Sequence, residues 1–204
     1  MRRLSALLLL ILAGSAQATT LSLNGEYLNL HLDQAGLSGS ESLPGISLRL
    51  RTGLADDRSV SLSAFAAKHG TTNYYGGHLS LSQAFSAGFG YFRSGFRLGY
   101  RELQASNFRL SAASAGVNLG FFLPVTPSFD AYLSAGVGHT FFAHDSAVSD
   151  SHLSGGLYYT GSAGVNYAIG PGAVNLAYRY RHFSLGSNVV LRTDGVMLGY
   201  RFSF

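Results

Sequence analysis

The sequence predicts an all-β protein: a single antiparallel transmembrane up-and-down β-barrel, ten strands by count with eight as the alternative. Three observations carry this. The last nine residues, Val196 to Phe204, alternate apolar with small or polar side chains, giving a strand with one oily face and one wet face. At the other end, Arg2 and Arg3 precede an apolar run from Leu4 to Ala13 and the small-x-small pattern Ala16-Gln17-Ala18, which reads as a secretory signal over residues 1–18. Nothing further along approaches the roughly 18 consecutive apolar residues of a spanning helix. A membrane-embedded chain of this kind must close into a barrel, because only helices and closed barrels satisfy every backbone group in hydrocarbon.

Period-2 alternation marks strands at about 21–33, 45–54, 59–68, 74–82, 88–101, 108–122, 129–142, 156–169, 173–184 and 190–204, all within one domain, 19–204. The first changes phase between Tyr27 and Leu28, as a bulge would. The strands 59–68 and 74–82 are short and rich in Gly, Ala and Ser, which is what leaves eight as an alternative count. Tight links at Ala55-Asp56-Asp57-Arg58, Gln83 to Ala87, Leu123 to Ser128 and Gly170-Pro171-Gly172 alternate with more polar or longer links at 34–44, 69–73, 102–107, 143–155 and 185–189. Short periplasmic turns opposite longer outer loops are expected of such a barrel.

Parity assigns the faces. Ile46, Leu48 and Leu50 oppose Arg49 and Arg51; Phe96, Leu98 and Tyr100 oppose Arg97 and Arg101. Val174, Leu176, Tyr178 and Tyr180 oppose Asn175, Arg179 and Arg181, and Leu198, Tyr200, Phe202 and Phe204 oppose Arg201. A charge on the lipid face costs about 2–4 kcal/mol at the midplane, so these seven arginines are expected to face a lumen. Small barrels are filled by side chains, so the arginines are expected to bond lumenal Ser, Asn, Tyr and the few acids such as Glu26 and Asp33. A narrow anion-favouring pore or binding cavity is the alternative. Aromatic pairs at Tyr74-Tyr75, Phe121-Phe122, Phe141-Phe142 and Tyr158-Tyr159, with Phe129, Tyr167 and Phe202, sit where interfacial girdles are expected.

Composition removes several function classes. Loss of residues 1–18 takes Arg2 and Arg3 with it and halves the formal net charge of +4, an excess too small to imply a nucleic-acid partner. The absence of cysteine excludes disulfides and thiolate metal sites. His144, Asp145, Asp150 and His152 share the link 143–155, but their spacing matches no established site, so neither metal nor cofactor is expected. No Gly-x-Ser-x-Gly, His-Glu-x-x-His, phosphate-binding or dinucleotide motif occurs.

The alternating final strand with aromatic Tyr200, Phe202 and Phe204, behind a secretory signal, resembles the C-terminus of Gram-negative outer-membrane β-barrels of the small OmpA/OmpX type. The resemblance implies that these three aromatics serve as an insertion signal for the barrel-assembly machinery. It also implies outer-membrane localisation after export to the periplasm, and lipids and lipopolysaccharide as surroundings. The implied role is structural or surface-interacting, in envelope integrity or adhesion, with a surface partner that the sequence does not identify.

A second resemblance rests on the last thirty or so residues. His182 and Ser184 share the outward parity of Tyr178 and Tyr180, and Asp194 shares that of Val196 and Leu198. Arg181-His182-Phe183-Ser184 followed by a short link is similar to the end of the outer-membrane lipid A deacylases, with Ser184 as nucleophile, His182 as base and Asp194 as the orienting acid. The sequence departs from that family in having no Asn after Ser184, and in holding Val196 and Met197 where the catalytic glutamate is expected. A non-enzymatic barrel is therefore the first reading and a lipid A ester hydrolase the alternative.

Overall fold

The computed structural model describes residues 19–34, 37–106, 108–146, 152–186 and 188–204. The expected signal segment 1–18 and Asp150 lie outside the described residues, as do the side chains of Asp145 and His152. The strands are β1 (Thr19–Gln34), β2 (Leu37–Gly53), β3 (Arg58–His69), β4 (Thr72–Ser86), β5 (Tyr91–Ala105), β6 (Phe108–Thr126), β7 (Phe129–Asp145), β8 (His152–Leu153), β9 (Gly156–Ile169), β10 (Gly172–Gly186) and β11 (Val189–Ser203). Ten are staves of a closed antiparallel barrel in up-and-down order. The two-residue β8 pairs only with the outer end of β7.

Pairing of β1 with β11 closes the sheet, from Thr20 opposite Ser203 to Gln34 opposite Val189. At the end carrying the C-terminus, the backbone groups of Thr19 and Phe204 exchange two hydrogen bonds of 3.0 Å. Closure leaves no strand edge in the hydrocarbon, which the bilayer requires. The one long connection, from β7 to β9, lies at the opposite end, so the end carrying Phe204 is the periplasmic one. Gly170 turns between β9 and β10 at φ 58, a left-handed conformation that costs a glycine little.

The outer links differ from expectation. The polar stretches 34–44, 102–107 and 185–189 are mostly strand, because β1 runs to Gln34, β2 starts at Leu37, β5 reaches Ala105 and β10 reaches Gly186. Only the connection from β7 to β9 is long. The barrel therefore rises past the membrane as a collar of paired strands.

The expected bulge between Tyr27 and Leu28 is absent, since β1 pairs with β2 and β11 there without a register shift. What changes is the environment. Within the membrane, Leu23 and Tyr27 are exposed outward while Asn24 and Glu26 are buried; beyond Tyr27 the inward residues are Leu28 and Leu30, and the outward ones are Asn29 and His31. The same reversal occurs around the barrel. Outward polar residues meet across strands as Asn29–Ser42, Asn29–Asp194, Lys68–Asn73 and Glu102–Ser111. Behind them runs an apolar ring of cross-strand partners: Leu28–Leu43, Ala67–Tyr74, Tyr74–Leu103, Leu103–Leu110, Ala112–Ala143, Tyr158–Phe183 and Phe183–Leu191.

Those inward residues, with Leu30, Leu185 and Val189, form one buried cluster onto which Leu32, Phe65, Phe108 and Leu153 pack. Each fully buried Leu or Phe contributes roughly 1.5–3 kcal/mol. The collar thus has the inside-apolar, outside-polar logic of a soluble barrel. The membrane belt beneath it has the opposite one.

A true bulge lies between Ala113–Phe142 and Ser114–Thr140, where one residue, Phe141, is left over. It turns both Phe141 and Phe142 outward, 61% and 41% exposed. The other expected aromatic pairs split, because neighbours on a strand point to opposite faces. Tyr74 and Tyr158 enter the apolar cluster and Phe122 lines the lumen, so only Tyr75, Phe121 and Tyr159 of those pairs belong to the girdles.

Candidate functional site

Beneath the apolar ring lies a cavity of about 660 Å³. It runs from the periplasmic turn residues Ala55 to Arg58 up to Phe65, Tyr74, Tyr158 and Phe183, which form its ceiling. Tyr158 reaches across because Gly116 and Gly138 leave room for its ring; a Cβ on either would stand within about 2.5 Å of it. Arg49, Arg51, Arg97, Arg101, Arg179, Arg181 and Arg201 all line the cavity. So do Arg93 and His78. Arg93 shares the parity of Arg97 on β5, so the alternation that placed its neighbours inward applied to it as well.

The guanidinium groups are held mainly by hydroxyls and rings. Arg49 donates Nε to Ser63 Oγ at 3.0 Å, Arg51 donates Nη2 to Ser59 Oγ at 2.6 Å, and Arg101 donates Nη2 to Ser114 Oγ at 3.1 Å. Arg101 lies 3.3 Å over the Phe183 ring, and Arg93 lies 4.8 Å over Phe122. Of the cavity-lining arginines, among the described residues, only Arg179 meets a carboxylate, Glu26, at 3.4 Å. Arg93 Nε, Arg97 Nε, Arg101 Nη1 and Arg181 Nη1 are buried without a hydrogen-bond partner. The arrangement can hold anions. Asp33, expected among lumenal acids, instead sits on the collar and accepts from Arg192 Nη2 at 3.0 Å.

On the outer face, His182 and Ser184 occupy the collar end of β10, opposite Arg192 and Val190 of β11. Asp194 lies opposite Tyr180, one step nearer the membrane. Its Oδ2 accepts hydrogen bonds from Asn29 Nδ2 and Tyr178 Oη, each 3.2 Å, and its Oδ1 lies 3.6 Å from His31 Nε2. His182 stacks on Tyr159 with ring centroids 4.4 Å apart, and its Nδ1 has no hydrogen-bond partner. The three residues share one face, and no hydrogen bond joins His182 to Ser184 or Asp194.

A second collar cluster lies in a stretch expected to be a link. Glu102, 2% exposed, accepts from Arg109 Nε at 2.5 Å, Tyr100 Oη at 2.8 Å and Gln104 Nε2 at 2.7 Å. Tyr100 and Gln104 flank Glu102 two residues away on β5, and Arg109 reaches it from the paired β6. No group of three or more His, Cys, Asp or Glu suited to a metal occurs among the described residues. At the periplasmic end, Tyr200 donates to the Ile169 carbonyl at 2.7 Å and packs edge-on against Phe202 at 4.5 Å, while Phe204 is 72% exposed.

An apolar belt facing outward, an arginine-rich lumen and a closed sheet define an integral outer-membrane β-barrel. The match of residues 4–202 to the family model described as outer membrane protein beta-barrel domain makes the membership plain: the chain belongs to that family. Among solved structures, it is similar to the outer membrane protease OmpT from Escherichia coli, with TM-score 0.66 and 8% identity, covering 94% of this chain and 98% of that one. It is also similar to an outer membrane channel from Pseudomonas putida F1, with TM-score 0.56 and 11% identity, covering 94% of this chain and 97% of that one. At such identities the likeness is one of fold alone. No curated protein matches the chain in sequence.

Proposed function

We propose that the protein is a non-conducting outer-membrane barrel with a structural or surface-interaction role, in envelope integrity or adhesion. The supporting observation is the apolar ring from Leu28 and Leu43 round to Phe183 and Leu191, which seals the lumen at the outer end. A through-pore needs a wetted path. A cluster in which Leu43 and Leu185 are fully buried offers water none. The collar above the membrane presents charged and hydroxylic side chains, among them His31, Lys68, Arg109 and Arg192, to lipopolysaccharide and to a surface partner.

In this reading, residues 1–18 direct export to the periplasm, and Tyr200, Phe202 and Phe204 engage the barrel-assembly machinery. The test is recording in planar bilayers together with a deletion strain. The expected result is no stepwise conductance from folded protein, and raised detergent sensitivity or lost surface attachment in the deletion strain. Reproducible conductance steps from the wild-type protein would overturn the closed-barrel reading.

A further inference from the structure

We infer that the lumen is a binding site, open only toward the periplasm, for a small and multiply charged phosphate-type anion. The argument starts from charge. The cavity wall carries the arginines described above, and among the described residues Glu26 alone lies within ion-pair distance of any of them, at 3.4 Å from Arg179. In a wall that is merely structural, buried cations are paired, because an uncompensated buried charge is expensive. Here hydroxyls and aromatic faces stand in for carboxylates, which fixes the guanidinium groups without neutralising them.

Vacant donors point the same way. Arg97 Nε, Arg101 Nη1 and Arg181 Nη1 are buried and unpartnered around the cavity, so a ligand would satisfy them rather than compete for them. A guanidinium presents a planar fork that matches phosphate and carboxylate oxygens. Phosphate-type anions place the most charge in the least volume, and this wall has many cations around about 660 Å³. The volume falls in the range of small-molecule sites, roughly 300–1,000 Å³. Access is one-sided, since the ceiling of Phe65, Tyr74, Tyr158 and Phe183 separates the cavity from the outer surface. A ligand must therefore enter past Ala55 to Arg58, from the periplasm.

Calorimetric titration of the folded, detergent-solubilised protein with sodium pyrophosphate, and separately with inorganic phosphate, tests this. The expected result is saturable one-to-one binding, tighter for pyrophosphate and weakened by added salt. Arg97→Gln should weaken it about ten-fold or more, the loss of one charge-assisted hydrogen bond, while Arg192→Gln on the outer collar leaves it unchanged. If Arg97→Gln does not fold, Arg51→Gln near the mouth and a pyrophosphate-dependent rise in the wild-type unfolding temperature take its place. No saturable binding to heat-modifiable wild-type protein would overturn the inference, as would binding lost in Arg192→Gln and kept in Arg97→Gln. The anion site can be judged apart from the closed-barrel reading on which its one-sided access rests: conductance steps with saturable binding would sink that reading and the one-sided access but leave the anion site, and absent binding in a silent barrel would sink the anion site alone.

Discussion

The carboxylate of Asp194 lies 3.6 Å from His31 Nε2 across the seam where β11 meets β1. Its other oxygen is taken by Asn29 and Tyr178. A triad needs its acid on the base, within about 2.6–3.2 Å hydrogen-bond reach, and His182 is instead stacked on Tyr159. Lipid A from cells with and without the protein should therefore show the same acyl chains by mass spectrometry. Ser184→Ala and His182→Ala should keep the shift in gel mobility between unheated and boiled samples. Loss of one acyl chain that depends on Ser184 would restore the hydrolase.

Leu198 is 58% exposed on the lipid face, and Leu198→Arg should destabilise the barrel by about 2–4 kcal/mol if the position is near mid-membrane. Ser22→Asn, which faces the cavity, should cost much less. Gly199 also points inward but does not share that tolerance. A Cβ there would lie 2.4 Å from the Leu23 carbonyl oxygen, so Gly199→Ser should be harmful for a steric reason. Denaturant midpoints read by circular dichroism rank the three variants, and equal effects of Leu198→Arg and Ser22→Asn would show that the register is wrong.

The apolar ring should matter to stability as a soluble core does. Leu43 is fully buried, and Leu43→Ala should cost about 2–5 kcal/mol through lost transfer and the cavity left behind. Leu48→Ala, 47% exposed to lipid, should cost far less because the bilayer replaces the lost contacts. The temperature at which the unheated gel form disappears compares them directly. A smaller effect at Leu43 than at Leu48 would mean that the outer end of the barrel is not packed.

Phe204 makes little contact yet ends the strand whose backbone closes the sheet on Thr19. Phe204→Ala should leave the purified protein able to refold in detergent, since the backbone pairing survives. It should lower the amount inserted in cells, read by outer-membrane fractionation, if the terminal aromatic is a recognition signal. Equal loss in both settings would make it a packing residue.

In the membrane belt the strands and most of the inward arginines follow from alternation, because lipid outside and a polar lumen inside impose one rule on every residue, whereas the short Gly-, Ala- and Ser-rich strands at 59–68 and 74–82 leave the count between eight and ten. The collar obeys the reverse rule. At Tyr27/Leu28 the reversal looks in the sequence like a slipped register, although the backbone continues unbroken. The same reversal makes 34–44 and 102–107 read as polar links, since outward Ser42 and Glu102 are visible in the sequence while the packing of their inward neighbours is not. The ceiling over the arginines was illegible for a related reason. Tyr74 and Tyr158 look like interfacial aromatics until strand parity and the glycines at 116 and 138 turn them inward. The separation of Asp194 from His182 depends on which neighbouring strand wins the carboxylate, and no spacing within one strand encodes that choice.

Glu102 and Arg109 give the sharpest test of the collar. The carboxylate is 2% exposed and accepts from Tyr100 and Gln104 as well as from Arg109, whereas the Arg109 side chain is 57% exposed. If the exposed ion pair dominated, removing either partner would cost about the same. The burial says otherwise. Glu102→Gln replaces one acceptor oxygen with an NH₂ that faces donors, and losing hydrogen bonds to a buried charged group costs roughly 1.5–3 kcal/mol. Arg109→Ala removes one donor at a solvated position and leaves the carboxylate two others, so it should cost clearly less than Glu102→Gln. Arg109→Ala should also lose its effect in high salt, and Glu102→Gln should not. The chain has no Trp, so the loss of strand signal in circular dichroism with rising denaturant is the suitable readout. A larger cost for Arg109→Ala than for Glu102→Gln would show that the collar is held at this point by the ion pair and not by the buried acceptor.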